Sequence, residues 1–432
     1  MAETSNDAML REAERHAAVD PPRKVVFNPF SPAFRENPYP TYRSLRENAP
    51  FLKVLGSWFF SRHGDIVSVL RDRRFSSSRI PELIRRGGRG TRDKEDYHDY
   101  KAVESFVAKA IVFTENPDHA RLRRLVNIAF DAATMAAEQP VIERIGQELL
   151  REPIARGAAD LIEEFADKLP MFVMCERLGV PRQMGPALCG WAYEARLLLD
   201  PTLMSKKDYV RVEAIMKEAL GYFDEVIAAR KRRPGSDIIS RLLAARDKDD
   251  RLTDQEVALT CIMSFVAGHE TTKYLIGNSA LALLRHPREV DAIRAEPALI
   301  AQAVDEILRI DAPLQQTKRV AVADIEFGGM TVREGEPVIL LLGSANHDPS
   351  VFDEPERFQV RRANAKMHLG LGYGMRNCLG GALAHSEAAA AVKLLFCQEI
   401  EPALATDKVE WQSESVILRG LRALPVTLAR RD

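Results

Sequence analysis

The middle of the chain carries a helical pattern of hydrophobic and polar positions. From 116 to 310, apolar residues recur at three- and four-residue spacing, as in amphipathic α-helices. The longest such run begins at Thr253, which forms a capping-box pattern with Glu256, and it ends at Pro287. A helix of this length, ~50 Å at 1.5 Å per residue, and apolar on nearly every side in its first half, is expected to cross the centre of a large fold.

Shorter alternating segments predict a minor β part. Residues 51–64 read as a hairpin, and strands are predicted within 320–343, after a helix over 298–310. A further helix is predicted over 379–396, and the tail 415–428 is expected to form a terminal hairpin. The fold class that follows is mainly α with a minor β part.

Composition and charge describe an ordinary soluble protein. The chain is 46% hydrophobic and 28% charged with a formal net charge of -1, so nothing favours attraction to nucleic acid or to membranes. The first thirty residues lack the apolar run of a signal peptide or membrane anchor, so a cytoplasmic location is expected. With no repeat and no long low-complexity linker, one domain spanning 1–432 is predicted.

The cysteine pattern argues against disulfides and structural zinc. The five cysteines are widely spaced, odd in number and without a CxxC pair. Cys378, in GYGMRNCLGG (372–381), stands where a helix begins, and the helix end and free N–H groups favour a thiolate. The glycines permit a tight turn, Gly380 lets a flat group lie on the first helical turn, and Arg376 adds a positive charge. A buried structural cysteine beside a glycine-rich turn is the alternative.

Two other short motifs stand out. Within the long helix, AGHETT (267–272) places the acid Glu270 and the alcohol Thr271 beside the small pair Ala267 and Gly268. Polar groups in a buried helix cost free energy unless they are satisfied, and Thr271 can bond back to the preceding turn. The alternative is a core helix with a solvated glutamate. In EILR, Glu306 and Arg309 share one helix face at i, i+3, a spacing that more often marks a surface ion pair.

Taken together, these motifs resemble the cytochrome P450 family of haem-thiolate monooxygenases over nearly the whole chain. The haem signature of that family corresponds to LGYGMRNCLG (371–380), with Leu371 where phenylalanine is usual. AGHETT is similar to the oxygen-activating helix of the family. Glu306, Arg309 and the arginine of PERF, Arg357, are similar to its structural Glu-Arg-Arg network. The resemblance implies a cytochrome P450 fold with the long helix across the haem.

The resemblance also implies the cofactor and the residues around it. The cofactor would be haem b, with Cys378 as the axial thiolate and the metal ligand, and Glu270 and Thr271 would be the catalytic acid and alcohol that supply protons. The departure at Leu371 removes no ligand but alters the packing beside the thiolate. The residues implied to contact the cofactor are Cys378, His119, Arg123, Arg319, Arg376, Ala267, Gly268 and Gly380.

The implied activity is insertion of one oxygen atom from dioxygen into a lipophilic small molecule, by hydroxylation or epoxidation. A polyketide or macrolide, a terpenoid and a fatty acid all remain open, since apolar lining is common to most ligand pockets. By family analogy the pocket includes the loops 80–112 and 188–210. The individual residues expected to line it are Met263, Val266, Leu314, Gln315 and Ile417.

The chain has no flavin or iron–sulfur motif, so the resemblance implies an external ferredoxin or flavodoxin with its reductase, and a monomer is expected. Arg121 and Arg124 would give a basic docking patch, or else an ordinary solvated helix face. A peroxide-driven haem-thiolate enzyme is one alternative function, but it would not need Glu270 and Thr271. A non-enzymatic haem binder or sensor is another, and it predicts haem without turnover.

Overall fold

The computed structural model describes residues 25–77, 100–129, 132–199, 204–247 and 250–431. Most of the predicted loop 85–100, part of the predicted pocket segment 80–112 and residues 200–203 lie outside these ranges. In the described part of the chain, no helix is long and apolar enough to cross a membrane.

Fifteen α-helices form most of the described structure. They are α1 Pro32–Glu36, α2 Tyr39–Asn48, α3 His63–Arg71, α4 Lys101–Lys109, α5 Asp118–Ala129, α6 Ala132–Arg156, α7 Lys168–Leu178, α8 Gly185–Ala195, α9 Lys206–Arg232, α10 Ile238–Ala244, α11 Asp254–Arg285, α12 Pro287–Ala295, α13 Leu299–Ile310, α14 Leu342–Ala345 and α15 Gly381–Phe396. A π-helical turn, Ile162–Ala166, precedes α7, and 3₁₀ turns occur at Arg182–Met184, Arg196–Leu199, Ala365–Met367 and Gly374–Arg376.

The strands among the described residues are short and fall into four sheets. They are β1 Phe51–Val54, β2 Ser57–Phe60, β3 Phe75–Ser76, β4 Ala158–Asp160, β5 Thr317–Ala321, β6 Ile325–Phe327, β7 Met330–Val332, β8 Pro337–Leu340, β9 Ile400–Leu404, β10 Glu410–Trp411, β11 Leu421–Ala423 and β12 Pro425–Arg430. The largest sheet has the order β1-β2-β8-β5-β3, with β2 and β8 parallel and its other pairs antiparallel. The others are β4-β12-β9, β6-β7 and β10-β11.

The predicted long helix is confirmed as α11. Its N-terminus carries the capping box: the Thr253 side chain accepts from the Glu256 N–H, and the Glu256 carboxylate accepts from the Thr253 N–H. The helix packs against α7, α8, α9 and α15, and most of its side chains from Val257 to Leu283 are buried. It is therefore the central element of the largest core cluster, and it carries Ala267, Glu270 and Thr271.

The predicted terminal hairpin is wrong. β11 pairs with β10, whereas β12 pairs with β4 and β9, so the last two strands belong to different sheets. The chain changes sheets at Leu424, whose N–H donates to Asp160 Oδ1 at 2.9 Å. The alternating pattern identified the strands, but the partner of each strand was set by contacts far away in sequence.

Glu387, on α15, carries a buried carboxyl group. Burial, with a smaller contribution from the charge of Glu138, raises the pKa of Glu387 to about 8, and Arg177 opposes the rise. The usual carboxyl value is 4.5, so between these two values the folded protein holds a proton that the unfolded chain releases. This group therefore costs stability as the pH rises from about 4.5 to about 8.

We expect Glu387→Gln to remove this pH dependence. The difference in thermal midpoint between variant and wild type should grow in favour of the variant by roughly 2–4 °C between pH 5 and pH 8.5. Thermal unfolding at a series of pH values measures this. The control is Glu399→Gln, at an exposed position shortly after the end of α15. It should follow wild type at every pH. A constant difference across the range would contradict the prediction.

One long-range contact fixes α4 against α9. The Glu213 carboxylate, buried on α9, accepts from the N–H groups of Ala102 at 3.1 Å and Val103 at 2.8 Å. Those N–H groups belong to the first turn of α4, where no intrahelical acceptor exists. A side chain distant in sequence thus caps α4, directly after residues 78–99.

We expect Glu213→Ala to loosen the start of α4 while leaving the core intact. Loss of a cap costs about 0.5–2 kcal/mol, which corresponds to roughly 2- to 30-fold faster local exchange. Hydrogen exchange at residues 101–104, read by mass spectrometry, measures this. Glu218→Ala, an exposed position on the same helix, is the matched control. Unchanged protection at 101–104 in Glu213→Ala would rule out the capping role.

Candidate functional site

The loop before α15 presents Cys378 to the interior of the protein. Gly372 and Gly374 have φ values of +74° and +69°, which side-chain-bearing residues rarely adopt. The loop is closed by a hydrogen bond of 2.7 Å from the Cys378 N–H to the Leu371 carbonyl. The thiol is accessible to solvent-sized molecules, yet the surrounding protein raises its pKa by desolvation. Both observations fit a side chain that faces a cavity enclosed by protein.

Two groups oppose this desolvation and favour the thiolate. The Gly380 N–H donates to the Cys378 sulfur, and the charge of Arg123 acts in the same direction. A methyl group built on Gly380 would meet nothing within 4 Å, so the surface beside the thiol is open. Leu371 packs on the other side, with its Cδ1 3.3 Å from the Cβ position of Gly381.

One face of α11 is open in the middle of an otherwise buried helix. Ala267 is exposed although Val266 and His269 are buried. The Thr271 hydroxyl donates to the Ala267 carbonyl at 2.5 Å, the back-bond that the sequence allows. The carboxylate of the neighbouring Glu270 is held by two other side chains. Its Oε2 lies 3.4 Å from Arg196 Nε, and its Oε1 accepts from the Tyr274 hydroxyl at 3.1 Å.

A cluster of basic groups lies between α5, β5 and the cysteine loop. Burial, together with the charge of Arg376, lowers the pKa of Arg319 to about 10, with Glu115 opposing the change. Burial, followed by Arg376 and Arg123, lowers the pKa of His119 to about 4. Arg376 pairs with Glu115 at 2.8 Å and donates to the Thr114 carbonyl at 2.5 Å. The Glu115 carboxylate thus offsets the positive charge of a cluster of basic groups that repel one another.

Arg123 is held by the cysteine loop itself. Its guanidinium donates to the Asn377 carbonyl at 2.7 Å and to Asn377 Oδ1 at 2.5 Å. Its charge interacts with Cys378. In this structure its contacts are therefore with the residue next to the thiol, whereas sequence reasoning assigned it to the propionate group with His119.

These residues fit a haem. In the described part of the chain, no group of three or more His, Cys, Asp or Glu residues could hold a metal ion. Arg319 donates only to the Thr317 hydroxyl at 3.2 Å and the Lys318 carbonyl at 2.7 Å among the described residues, with no carboxylate in ion-pair range. A propionate would supply the missing negative charge. Arg319, Arg376 and His119 would hold that group, and Cys378 would bind the iron.

The predicted Glu-Arg-Arg network is present in the structure, but one of its members differs from the prediction. Glu306 and Arg309 are completely buried and joined by two hydrogen bonds of 2.7 and 2.8 Å. The third side chain is that of Arg362, whose Nε donates to Glu306 Oε1 at 3.0 Å. The predicted Arg357 has an exposed side chain paired with Glu354, and it contributes only its carbonyl oxygen, to Arg309 and Arg362.

The residues predicted to contact substrate divide into two groups. Met263 and Val266 are buried on α11, and Leu314 forms an isolated β-bridge with Leu418, beside Ile417. Gln315 differs from the prediction. Its Oε1 accepts from the Tyr42 hydroxyl at 3.1 Å and its Nε2 donates to the Ala312 carbonyl at 2.7 Å, so its amide is used in holding α2.

The basic docking patch predicted at Arg121 and Arg124 is neutralised. Arg121 pairs with Asp250 at 2.9 Å and Glu256 at 2.7 Å, and Arg124 pairs with Asp247 at 2.7 Å. Three carboxylates therefore neutralise the two guanidinium groups. These ion pairs connect α5 to the start of α11 and the segment before it. This surface does not offer free positive charge to an acidic partner.

Sequence reasoning missed Arg196, Tyr274, Glu115 and Arg362. Arg196 and Arg362 carry no local signal, because their partners are 74 and 56 positions away. Tyr274 had one: its i+4 spacing from Glu270 places the two side chains on one helix face.

Comparisons with known proteins agree with this site. Residues 195–398 match the family model described as Cytochrome P450. The Biotin biosynthesis cytochrome P450 of Bacillus subtilis (strain 168) is 38% identical over 92% of this chain and 98% of its own. The 6-deoxyerythronolide B hydroxylase of Saccharopolyspora erythraea is 33% identical over 92% and 98%. The crystal structure of P450BioI in complex with an acyl carrier protein ligated to hexadec-9Z-enoic acid has a TM-score of 0.82 at 35% identity, covering 92% of this chain and 99% of that one.

Proposed function

The chain belongs to the cytochrome P450 family, and on that premise we propose that Cys378 is the thiolate ligand of its haem iron and that Glu270 and Thr271 deliver the protons of the reaction. The protein is a haem-dependent monooxygenase. The observation that carries the residue assignment is the enclosed Cys378 thiol, which receives an N–H from Gly380 and lies beside a cluster of buried cations.

When bound, the haem supplies dioxygen activation: one oxygen atom enters a C–H or C=C bond of the substrate, and the other leaves as water with two electrons and two protons. The chain's own residues prepare the site for it. The Gly380 N–H and Arg123 stabilise negative charge on the sulfur. Arg319 and Arg376 would hold the acidic groups of the cofactor, and the small, exposed side chain of Ala267 leaves room on the open face of α11.

Glu270 and Thr271 move protons from solvent toward the open face of α11. The Thr271 hydroxyl lies one turn from the exposed Ala267 and is oriented by the Ala267 carbonyl. Glu270, the adjacent acid, is linked through Arg196 to α8 and the protein surface. An acid backed by an alcohol in this order transfers protons without admitting bulk water.

Thr271→Ala is expected to uncouple electron use from product. NADH consumption should continue while product per NADH falls by roughly tenfold and hydrogen peroxide rises, because the proton donor at the open helix face is lost. Product, NADH and peroxide are measured in one assay. Thr260→Ala is the matched control, since Thr260 makes the same back-bond, to Glu256, nearer the start of the helix. Normal coupling in Thr271→Ala would exclude the proposed role.

The proposed substrate is a lipophilic molecule of the polyketide, terpenoid or fatty-acid type. The pocket that we propose for it is lined by Met263, Val266, Leu314 and Ile417. The long acyl chain is the first to test, free and attached to an acyl carrier protein, since the relative at 38% identity is named for biotin biosynthesis and a solved neighbour carries an acyl carrier protein with hexadecenoic acid. The absorption shift on substrate binding ranks a panel of acyl chains, macrolides and steroids. A panel without any shift would overturn this substrate class.

The electron donor we propose is a ferredoxin or flavodoxin with its reductase, acting on a cytoplasmic, single-domain enzyme. Because Arg121 and Arg124 are paired with acids, docking on this surface would depend weakly on ionic strength. The peroxide-driven alternative is tested directly: turnover with peroxide but not with the reductase chain would favour it over the dioxygen reaction.

A further inference from the structure

Both oxygens of the Glu270 carboxylate are held by side chains outside the substrate face. The Tyr274 hydroxyl donates to Oε1 at 3.1 Å, and Arg196 Nε lies 3.4 Å from Oε2. Tyr274 follows Glu270 by four residues on α11, so the two side chains lie one above the other on the same face. The acid therefore has a defined orientation in this structure.

The tyrosine is itself fixed by an unusual close approach. Its ring lies against Gly420, where an added methyl would fall 1.9 Å from Tyr274 Cδ1. The segment carrying Gly420 is bound to α11 by Asn278, whose Nδ2 donates to the Arg419 carbonyl at 3.3 Å and the Asp311 carbonyl at 2.9 Å. Only glycine leaves room for the ring, so the backbone at Gly420 sets where the Tyr274 hydroxyl points.

The polar groups around Glu270 continue to the surface. The Arg196 guanidinium stacks on the Tyr193 ring at 4.3 Å from its centroid, and the Tyr193 hydroxyl lies 3.4 Å from Oε2 of the exposed Glu414. Burial, followed by the neighbouring Glu270 and Glu414, raises the pKa of Tyr274, with Arg196 opposing. The hydroxyl consequently remains protonated and remains a donor at any working pH.

We propose that Tyr274 is a positioning residue for proton delivery, which holds Glu270 toward the Arg196 side so that the acid is loaded from solvent at the Tyr193–Glu414 edge. This inference rests on the proposed role of Glu270. Tyr274 transfers no proton itself. It limits the orientations that the carboxylate samples, and a carboxylate that has lost this bond spends less time where solvent protons reach it.

The first arm of the test compares coupling in the holoenzyme. Tyr274→Phe keeps the ring on Gly420 and removes only the hydroxyl. Product per NADH should fall about two- to tenfold, with more peroxide and an altered solvent isotope effect on product formation. Tyr222→Phe, a half-buried tyrosine on α9, is the matched control and should behave as wild type.

The second arm needs no turnover. The infrared carboxylate stretch of Glu270 in the resting holoenzyme is identified as the band lost in Glu270→Gln. Tyr274→Phe should shift that band, because the carboxylate loses a donor, and Tyr222→Phe should not. Gly420→Ala displaces the Tyr274 ring and should also shift the infrared band. It should lower coupling as well, even at a low temperature at which the variant is folded.

The outcomes separate the two ideas. Normal coupling in Glu270→Gln overturns the proposed function of Glu270 and this inference with it. Impaired Glu270→Gln with normal coupling and an unshifted band in Tyr274→Phe overturns only the inference. A shifted band with normal coupling also overturns it, since the bond would then exist without serving proton delivery.

Discussion

Cys378→Ala is expected to abolish the strongly red-shifted Soret band of the reduced carbon monoxide complex, together with all monooxygenase turnover. That band reports a thiolate ligand, and no other cysteine can supply one: Cys175 and Cys261 are buried, and Cys189 and Cys397 lie outside the glycine loop. Without Cys378 the haem would lack the electron donation from sulfur that supports dioxygen activation, so activity should fall by at least about 10³-fold.

The control for this variant is Cys397→Ala, at the end of α15. It removes a half-buried thiol just after the other end of the helix that follows Cys378, and it should keep the thiolate spectrum and turnover. Cys378→Ala protein that still binds haem through another ligand would show a carbon monoxide band at shorter wavelength. A retained thiolate band in Cys378→Ala would show that another residue binds the iron, and the site described above would be wrong.

Local patterns predicted the parts of the site that lie close together in sequence. α11 follows from its capping box and apolar run, and the back-bond from Thr271 to Ala267 follows from helical spacing. The turn before Cys378 follows from the positions of Gly372 and Gly374. In each case the partners are at most a few residues apart, so the sequence contains the full geometric constraint.

Apart from the overlooked Tyr274, whose partner is four positions away, the errors concern partners distant in sequence. Gln315 sits beside the predicted pocket but bonds to Tyr42, which is 273 positions away. Arg121 looks like a free cation until the fold brings Asp250 and Glu256 to it. Strand β12 is recognisable, yet its sheet is decided by β4 and β9. One-dimensional patterns cannot rank such contacts, because several chemically equivalent candidates compete for each.

Arg362→Ala is expected to destabilise the protein by about 3–5 kcal/mol, whereas Arg357→Ala should change the free energy of unfolding by no more than about 0.5 kcal/mol. The two arginines lie five positions apart and have the same chemistry, but only Arg362 reaches Glu306. Its guanidinium also donates to the carbonyls of Asp353, Glu354 and Arg357. Removing it leaves a buried carboxylate with one fewer cation and takes one donor away from each of three carbonyls.

Chemical unfolding of both variants, followed by circular dichroism and by haem absorbance, measures the difference. Arg362→Lys separates charge from shape: an ammonium keeps the charge but cannot span Glu306 and three carbonyls, so it should recover only part of the stability. Equal losses in Arg357→Ala and Arg362→Ala would mean that the exposed pair of Arg357 with Glu354 matters as much as the buried network. The buried ion pair of Arg362 with Glu306, which connects α13 to the segment leading to Cys378, should instead contribute more, because a buried charge that loses its partner is poorly solvated.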